Sequence, residues 1–588
     1  MNSFVLKVVA FVAALNMGAL LRAQTEDEAV KAAMYLNGAS SPEEIEEGEV
    51  ERIHVIGKIR VNAPGRNARA VLSEYQLATL EDYRRRSGDI LSWEELALVD
   101  GFNKETVEAL KPFLSLYSDN LPGAVDTTAQ KVHGSVLVRA ADKNAGTKIK
   151  AEGRNWQVGV AAKIVIPDLI RNLKLINKDS GSEPGMTNNL PGMTNNLPGM
   201  TNNLSGMTNV DWTAHAEINI GRWDIVLGDY YIRYGQGVGI WSGFSMTSLS
   251  TVGAFNRRAT CITPVMSFLP SEHRGAAVEY RRGRVGVSAF ADLNRTVGGH
   301  VSYVSLHSVC GLTVMSGLVS ADCSINFRGV NVAGEVAAKG KDAFAGKGVA
   351  SFKLGNTRLA LQGRVLPTRF TGKKNGEYAF AAGGEWNSPR WRQLAGKTGF
   401  GSSVPVHSLS LTADASLLPK PNIDPGRKQL RIYGIWQWQI SGALALDARY
   451  TGRLRNYEPS RNDIRLDLKC SSGPWLSTAR LEGDYCDGYG LLGYLEGGYK
   501  TDNLSSYLRL TGFSTDNWAS RIYCYERNAP GAFLVPAYYG QGACASMYAS
   551  YKATFNHYRL KFYLRSSYTV YRDKPDVFAL RGQIIFEY

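Results

Sequence analysis

From residue 133 onward, apolar and polar positions alternate with a period of two. Ser135, Leu137 and Arg139 share one face, and Val136, Val138 and Ala140 share the other. Comparable short segments recur at 212–220, 223–234, 275–280, 429–438, 443–450, 558–568 and 577–588, each bounded by turn-forming residues. A strand whose side chains alternate in this way has one apolar and one polar face. Strands of about ten residues separated by turns are the pattern of membrane barrels, and the span predicts roughly 16–24 strands, an even number. In the last segment Gly582, Ile584, Phe586 and Tyr588 fall on one face, and Arg581, Gln583 and Glu587 on the other, with Ile585 an exception.

Ahead of residue 133 the period changes. Ala70, Leu72, Tyr75, Leu77, Leu80 and Tyr83 recur at helical spacing, and Ser87-Gly88-Asp89 breaks the pattern. Ser92 followed by Glu95 reads as a capping box, and Asn103 as the cap of a helix running from Lys104 to about residue 114. Residues 24–66 are acidic and predict partial order, with Ser41 capping a short helix that opens on Pro42. Residues 118–132, with Pro122-Gly123, read as a linker. Residues 184–209 repeat a Pro/Ser-Gly-Met-Thr-Asn heptad without an apolar stripe, and predict a flexible loop on the barrel.

Residues 1–23 place Lys7 before an apolar run from Val8 to Leu21, and Ala23 before an acidic stretch. That order predicts a secretory signal peptide cleaved after Ala23. No later stretch is long and apolar enough for a transmembrane helix. Only helices and closed barrels satisfy the backbone inside lipid. The predicted fold is therefore mainly β: a large transmembrane antiparallel β-barrel over 133–588, preceded by a small all-α domain over 67–117. The expected location is the outer membrane, in contact with its lipid, with the helical domain in the periplasm.

Composition adds little to this beyond 61 Gly and 29 Tyr, which suit a β-rich wall. The seven cysteines are scattered without a CxxC pair, and read as small wall residues; a loop bridge between Cys470 and Cys486 is one alternative. Neither HExxH nor GxSxG occurs, so no catalytic residue, metal or cofactor is expected. The carboxylate pairs Glu43-Glu44 and Glu94-Glu95 read as solvated helical faces. Charge divides unevenly: the net +14 resolves into +2 over 1–23, −7 over 24–117 and +19 over 118–588. An acidic front facing a basic barrel allows the two parts to dock, and a basic interior favours anionic solutes.

Residues 92–116, SWEELALVDGFNKETVEALKPFLSL, resemble the second half of the tandem helix-hairpin-helix module found in competence DNA receptors and DNA-repair proteins. In that family the hairpin amides and the start of the second helix meet a backbone phosphate. The resemblance implies a hairpin at Gly101, Phe102 and Asn103, with Asn103 in place of a second glycine and Lys104 pairing with phosphate. Arg84, Arg85 and Arg86 would add a local basic patch. The first half departs from the family, because Leu72-Ser73-Glu74-Tyr75 stands where a glycine-rich hairpin belongs and Glu74 would repel phosphate. Residues 70–117 carry a net −4, which opposes non-specific DNA binding.

The run from Gly228 to Trp241 begins as a strand and continues into glycine-rich backbone, Gly235-Gln236-Gly237-Val238-Gly239. It resembles a segment of a poorly characterised class of outer-membrane barrels. It reads either as a bulge with an aromatic girdle or as an inward fold that narrows the lumen. Two functions remain open. One is a barrel that binds or transports DNA through its helical module. The other is a transport or assembly barrel whose module is a plug or a docking site for periplasmic proteins.

Overall fold

The computed structural model describes residues 26–54, 58–65, 68–69, 71–120, 132–141, 144–153, 155–165, 210–243, 248–371, 376–388, 391–393, 403–420, 423–555 and 558–588. The signal-peptide stretch and the heptad repeats lie outside these residues. From His133 the chain forms an antiparallel wall of 24 strands among the described residues. The wall closes where His133–Ala141 pairs with Val577–Glu587, in the register Ser135↔Glu587 to Ala140↔Gly582. Gly134 and Tyr588 exchange both backbone hydrogen bonds at the seam, at 3.0 and 2.9 Å. Closure leaves no strand edge unpaired, as lipid requires.

The alternation has the sense the sequence predicts. On Leu504–Thr515, Leu508 and Leu510 are more than half exposed, while Arg509, Thr511 and Phe513 are buried. On Val577–Glu587, Ile584 and Phe586 point outward, and Gln583 and Ile585 are buried. Leucine, valine and aromatic side chains therefore coat the outside, and charged and hydroxyl side chains line the inside. No described helix is long and apolar enough to cross a membrane. The closed wall with an apolar exterior is that of a membrane-spanning barrel.

The described residues between 26 and 120 fold as one helical unit. Helix α1 spans Glu26–Asn37, a 3-10 turn follows at Pro42–Glu44, and α2 spans Glu47–His54. Helix α3 is Glu74–Ser87, α4 the single turn Trp93–Leu96, and α5 is Lys104–Leu110. Val50 and Ile53 from α2 share one core with Leu80, Leu96, Leu110 and Phe113. The expected split between a partly ordered 24–66 and a separate 67–117 thus gives way to a common core across both. A parallel pair, Ile59–Arg60 with Leu114–Ser115, ties the two halves together.

Local capping explains the helix starts. Ser73 and Gln76 form a reciprocal capping box at α3. Ser92 Oγ accepts from the Glu95 amide at 3.1 Å, and Asn103 Oδ1 accepts from the Thr106 amide at 2.8 Å. Ser41 departs from its expected role. It makes no side-chain cap; its Oγ instead accepts from Arg449 Nη1 at 2.6 Å, a residue of the wall.

The cysteines also depart from expectation in one respect. Cys310 and Cys323, directly opposed on neighbouring strands, form a disulfide, while Cys470 and Cys486 are both free. Cys470 is exposed and Cys486 buried, so the proposed loop bridge is not made.

Candidate functional site: the plugged lumen

The helical unit sits inside the ring of strands and is held there by ion pairs. Glu51 of α2 meets Lys148 on Asn144–Gly153. Glu49 meets Arg233 on Trp223–Arg233 at 2.5 Å. Glu74 meets Arg281 on His273–Arg282, and Arg69 meets Glu279 of the same strand at 2.6 Å. Glu105 meets Arg358 on Thr357–Leu366 at 3.1 Å. Glu43 meets Arg465 on Arg461–Ser472 at 3.1 Å and Arg480 on Trp475–Tyr485 at 2.8 Å. These partners are spread around the circumference, so the unit is clamped from several sides at once.

Several of these carboxylates lie out of water. Burial pushes the Glu43 carboxyl up, but Arg465, Arg480 and Arg449 outweigh it and hold it well below the usual range. Burial likewise opposes ionisation of Glu49, yet Arg233 and Arg52 bring it down to about 2. Glu74 is lowered too, with burial countered chiefly by Arg281. The Glu43-Glu44 pair is therefore no solvated face: Glu43 is gripped by two wall arginines, and Glu44 accepts from Ser250 Oγ at 2.6 Å.

Two long segments at the end of the barrel opposite the termini fold inward and meet the unit. The first is 234–243 with 248–260. Its Gln236, Val238 and Gly239 amides donate to the Glu335 carboxylate at 2.7, 2.9 and 2.7 Å. Gly235 sits at φ +55, and a Cβ there would lie 2.7 Å from Glu335 Oε2, so glycine is required at this close approach. Farther on, Gln362 Nε2 donates to the Phe255 carbonyl at 2.5 Å, and Thr251 Oγ1 to the Gly38 carbonyl at 2.6 Å. Gly38 lies so close to Gly253 and Ala254 that a Cβ would fall 2.2 Å from the Ala254 nitrogen. The glycine-rich motif is thus an inward fold and not a bulge in the wall.

The second segment is 516–540. Its Pro530 carbonyl accepts from Arg139 at 3.1 Å and from Gln583 at 3.0 Å, which anchors it beside the seam. Glu526 is held by Arg565 and Tyr538. The Tyr525 amide donates to Glu43 Oε1 at 3.1 Å, and Tyr525 and Phe533 lie against the core of the helical unit. The second segment, unlike the glycine-rich first one, carries no sequence signal that distinguishes it from an ordinary surface loop.

The residues singled out for phosphate contact are arranged differently. Gly101, at φ +82, and Asn103 are exposed, Phe102 is buried, and Lys104 is exposed at the start of α5. The first turns of α3 hold this hairpin: Gln76 Nε2 donates to the Gly101 carbonyl at 2.8 Å and Thr79 Oγ1 to the Asp100 carbonyl at 2.7 Å. Arg84, Arg85 and Arg86 lie in the last turn of the same helix, about 12 Å farther along at 1.5 Å per residue. They do not join the hairpin in one patch. Arg85 and Arg86 each pair with Asp82 at 2.6 Å, and Arg84 pairs with Asp89 at 3.1 Å. The Thr106 amide at the head of α5 is already taken by Asn103. Glu74, which the family pattern would exclude, has the structural role of binding Arg281.

No protein-family model matches the chain, and no curated protein matches it. Solved structures do. The translocation pore of the P pilus usher PapC aligns over 78% of this chain and 98% of its own, at 10% identity and a TM-score of 0.34. OccK5 of Pseudomonas aeruginosa aligns over 78% and 96%, at 10% identity and a TM-score of 0.26. The E. coli P pilus tip assembly intermediate PapC-PapD-PapK-PapG aligns over 80% and 63%, at 10% identity and a TM-score of 0.43. At these values the architecture of this chain has to be argued from its own residues.

Proposed function

We propose that the chain is an outer-membrane transport barrel whose N-terminal helical unit is a plug. The observation that carries this reading is the ring of ion pairs from Glu43, Glu49, Glu51, Glu74 and Glu105 to wall residues on several sides of the lumen. A surface-docked module would meet one face of the barrel; a plug meets many. Opposite charge on the two parts favours docking, and burial of the Glu43–Arg465, Glu49–Arg233 and Glu51–Lys148 pairs makes separation costly. Solute then passes only when the plug shifts or leaves, and the chain acts as a conduit and not as a catalyst. DNA handling is no part of this reading, because Arg84, Arg85 and Arg86 are tied to Asp89 and Asp82 and stand apart from the hairpin.

The test is single-channel conductance in planar bilayers. Deleting residues 24–117 is expected to raise conductance severalfold over the full chain. The charge reversals Glu43→Arg and Glu49→Arg together are expected to raise it partway. Equal conductance in all three proteins would remove the plug from the account.

A further inference from the structure

Three arginines form one row across neighbouring strands, near the end of the lumen where the two segments fold inward. The strands are Ile423–Gln439, Leu444–Arg455 and Arg461–Ser472. Their registers set Arg431 opposite Arg453, and Arg453 opposite Arg461. The row is on the lumen side. Gln429 and Tyr433, two positions either side of Arg431, are buried; Leu454, next to Arg453, is exposed on the outside; Asp463, two positions after Arg461, is buried. Neighbouring strands stand about 4.8 Å apart, and like charges directly opposite each other destabilise a sheet.

The outer members of the row have acidic neighbours. Asp414 stands opposite Arg431 on its other side, and Arg461 pairs with Asp484. Arg453, between them, has none. Its side chain makes no hydrogen bond or ion pair among the described residues, and Arg455, Arg461 and Arg431 all act on it as like charges. Arg453 is only partly buried, so its guanidinium is open to the lumen. Arg455, two positions on, shares the Glu458 carboxylate with Arg427. Arg427, Arg453 and Arg455 thus have one carboxylate between them, which leaves an excess of two positive charges on this stretch of wall.

From this arrangement we infer that the lumen wall at Arg453 and Arg455 binds the phosphate group of a small solute. Guanidinium groups meet phosphate through paired hydrogen bonds. A phosphate monoester carries about −1.5 to −2 at neutral pH, which matches the excess; a monocarboxylate leaves part of it unmatched. The row faces the lumen and not the lipid, so the phosphate of a membrane lipid does not reach it. Arg461 also donates to the Arg521 carbonyl at 2.8 Å, so the site borders the second inward segment. Placing it on a solute route rests on the transport reading above, but binding itself does not.

The experiment is calorimetric titration of the full chain in zwitterionic detergent at low salt with inorganic phosphate and glycerol phosphate, beside acetate. Saturable binding of inorganic phosphate is expected, with acetate at least tenfold weaker. Equal binding of glycerol phosphate supports the site for phosphate esters; binding of inorganic phosphate alone supports it for the free anion. Arg453→Gln is expected to weaken phosphate at least tenfold. Glu458→Gln, which removes the one carboxylate, is expected to tighten it at least threefold, a direction that damage to the fold would not give. Heat-modifiable gel mobility identifies which variants have folded, and either folded variant suffices to decide. Absence of saturable phosphate binding, unchanged affinity in folded Arg453→Gln, or unchanged or weaker affinity in folded Glu458→Gln overturns the site. Because the readout is affinity, a failure here is separable from a failure of the plug, which is read by conductance.

Discussion

Glu43 of the plug lies 2.8 Å from Arg480 of the wall, 437 positions farther along the chain. Its other carboxylate oxygen meets Arg465 at 3.1 Å. Replacing Glu43 with Ala would leave two arginines facing each other without their shared anion. Arg465 keeps Glu482 and Arg480 keeps Asp467, so the cost falls below the about 3–5 kcal/mol of leaving a buried charge wholly unpaired. Glu43→Ala is therefore expected to loosen the plug, seen as faster limited proteolysis of residues 26–120 in the folded barrel. Proteolysis at the wild-type rate would show that the ion pair does not hold the plug in place.

Glu335 organises the first inward segment in a similar way. Three backbone amides, from Gln236, Val238 and Gly239, share its carboxylate. Glu335→Ala orphans all three, at about 1–3 kcal/mol for each buried donor left unmet. The expected result is faster hydrogen exchange at 236–239 with the wall strands unchanged. Unchanged exchange at these amides would mean the carboxylate does not hold the segment.

These two contacts also show what the sequence could and could not reveal. The wall was legible because each strand obeys a local rule: Leu508 and Leu510 out, Arg509 and Thr511 in. The seam was legible for the same reason at Ile584 and Phe586. The helix starts at Ser92 and Asn103 were legible from local hydrogen-bonding chemistry. The plug was legible only as a charge imbalance between the two parts of the chain. Which carboxylate meets which arginine depends on contacts hundreds of residues apart, and no local pattern distinguishes buried Glu43 from exposed Glu94. The glycine-rich run signalled close backbone approach without identifying Glu335 as its partner.

The plug should survive mild acid. Glu49 has its carboxyl lowered from 4.5 to about 2 in the docked state. A group depressed in this way stabilises docking fully above its undocked value of 4.5, and that contribution is lost as pH falls toward about 2. Glu43 and Glu74 are shifted in the same direction. Conductance is expected to stay low from neutral pH to 4.5 and to rise only below it. A rise between pH 7 and 5 would show that other groups control the plug.

Lys104 provides a test of the hairpin. It is exposed at the start of a seven-residue helix whose Thr106 amide is capped by Asn103. If the plug does not bind nucleic acid, Lys104→Glu leaves fluorescence anisotropy of labelled duplex DNA unchanged at every salt concentration. Salt-sensitive binding by the full chain that weakens in this variant would restore the hairpin as a phosphate contact.

Orientation in the membrane decides which side reaches the plug. Asp342 lies in a turn at the end of the barrel where 248–260 and 516–540 fold inward, and Asp502 in a turn at the end that carries Tyr588. Outer-membrane barrels place their short turns in the periplasm and their longer loops outside. Cys470 is the exposed free cysteine among the described residues, so Cys470→Ser supplies a quiet background. In that background a membrane-impermeant maleimide is expected to label Asp342→Cys on intact cells, and Asp502→Cys only after the outer membrane is permeabilised. The opposite pattern would place the barrel end that carries Tyr588 outside the cell, where an external ligand and not a periplasmic one would have to release the plug through it.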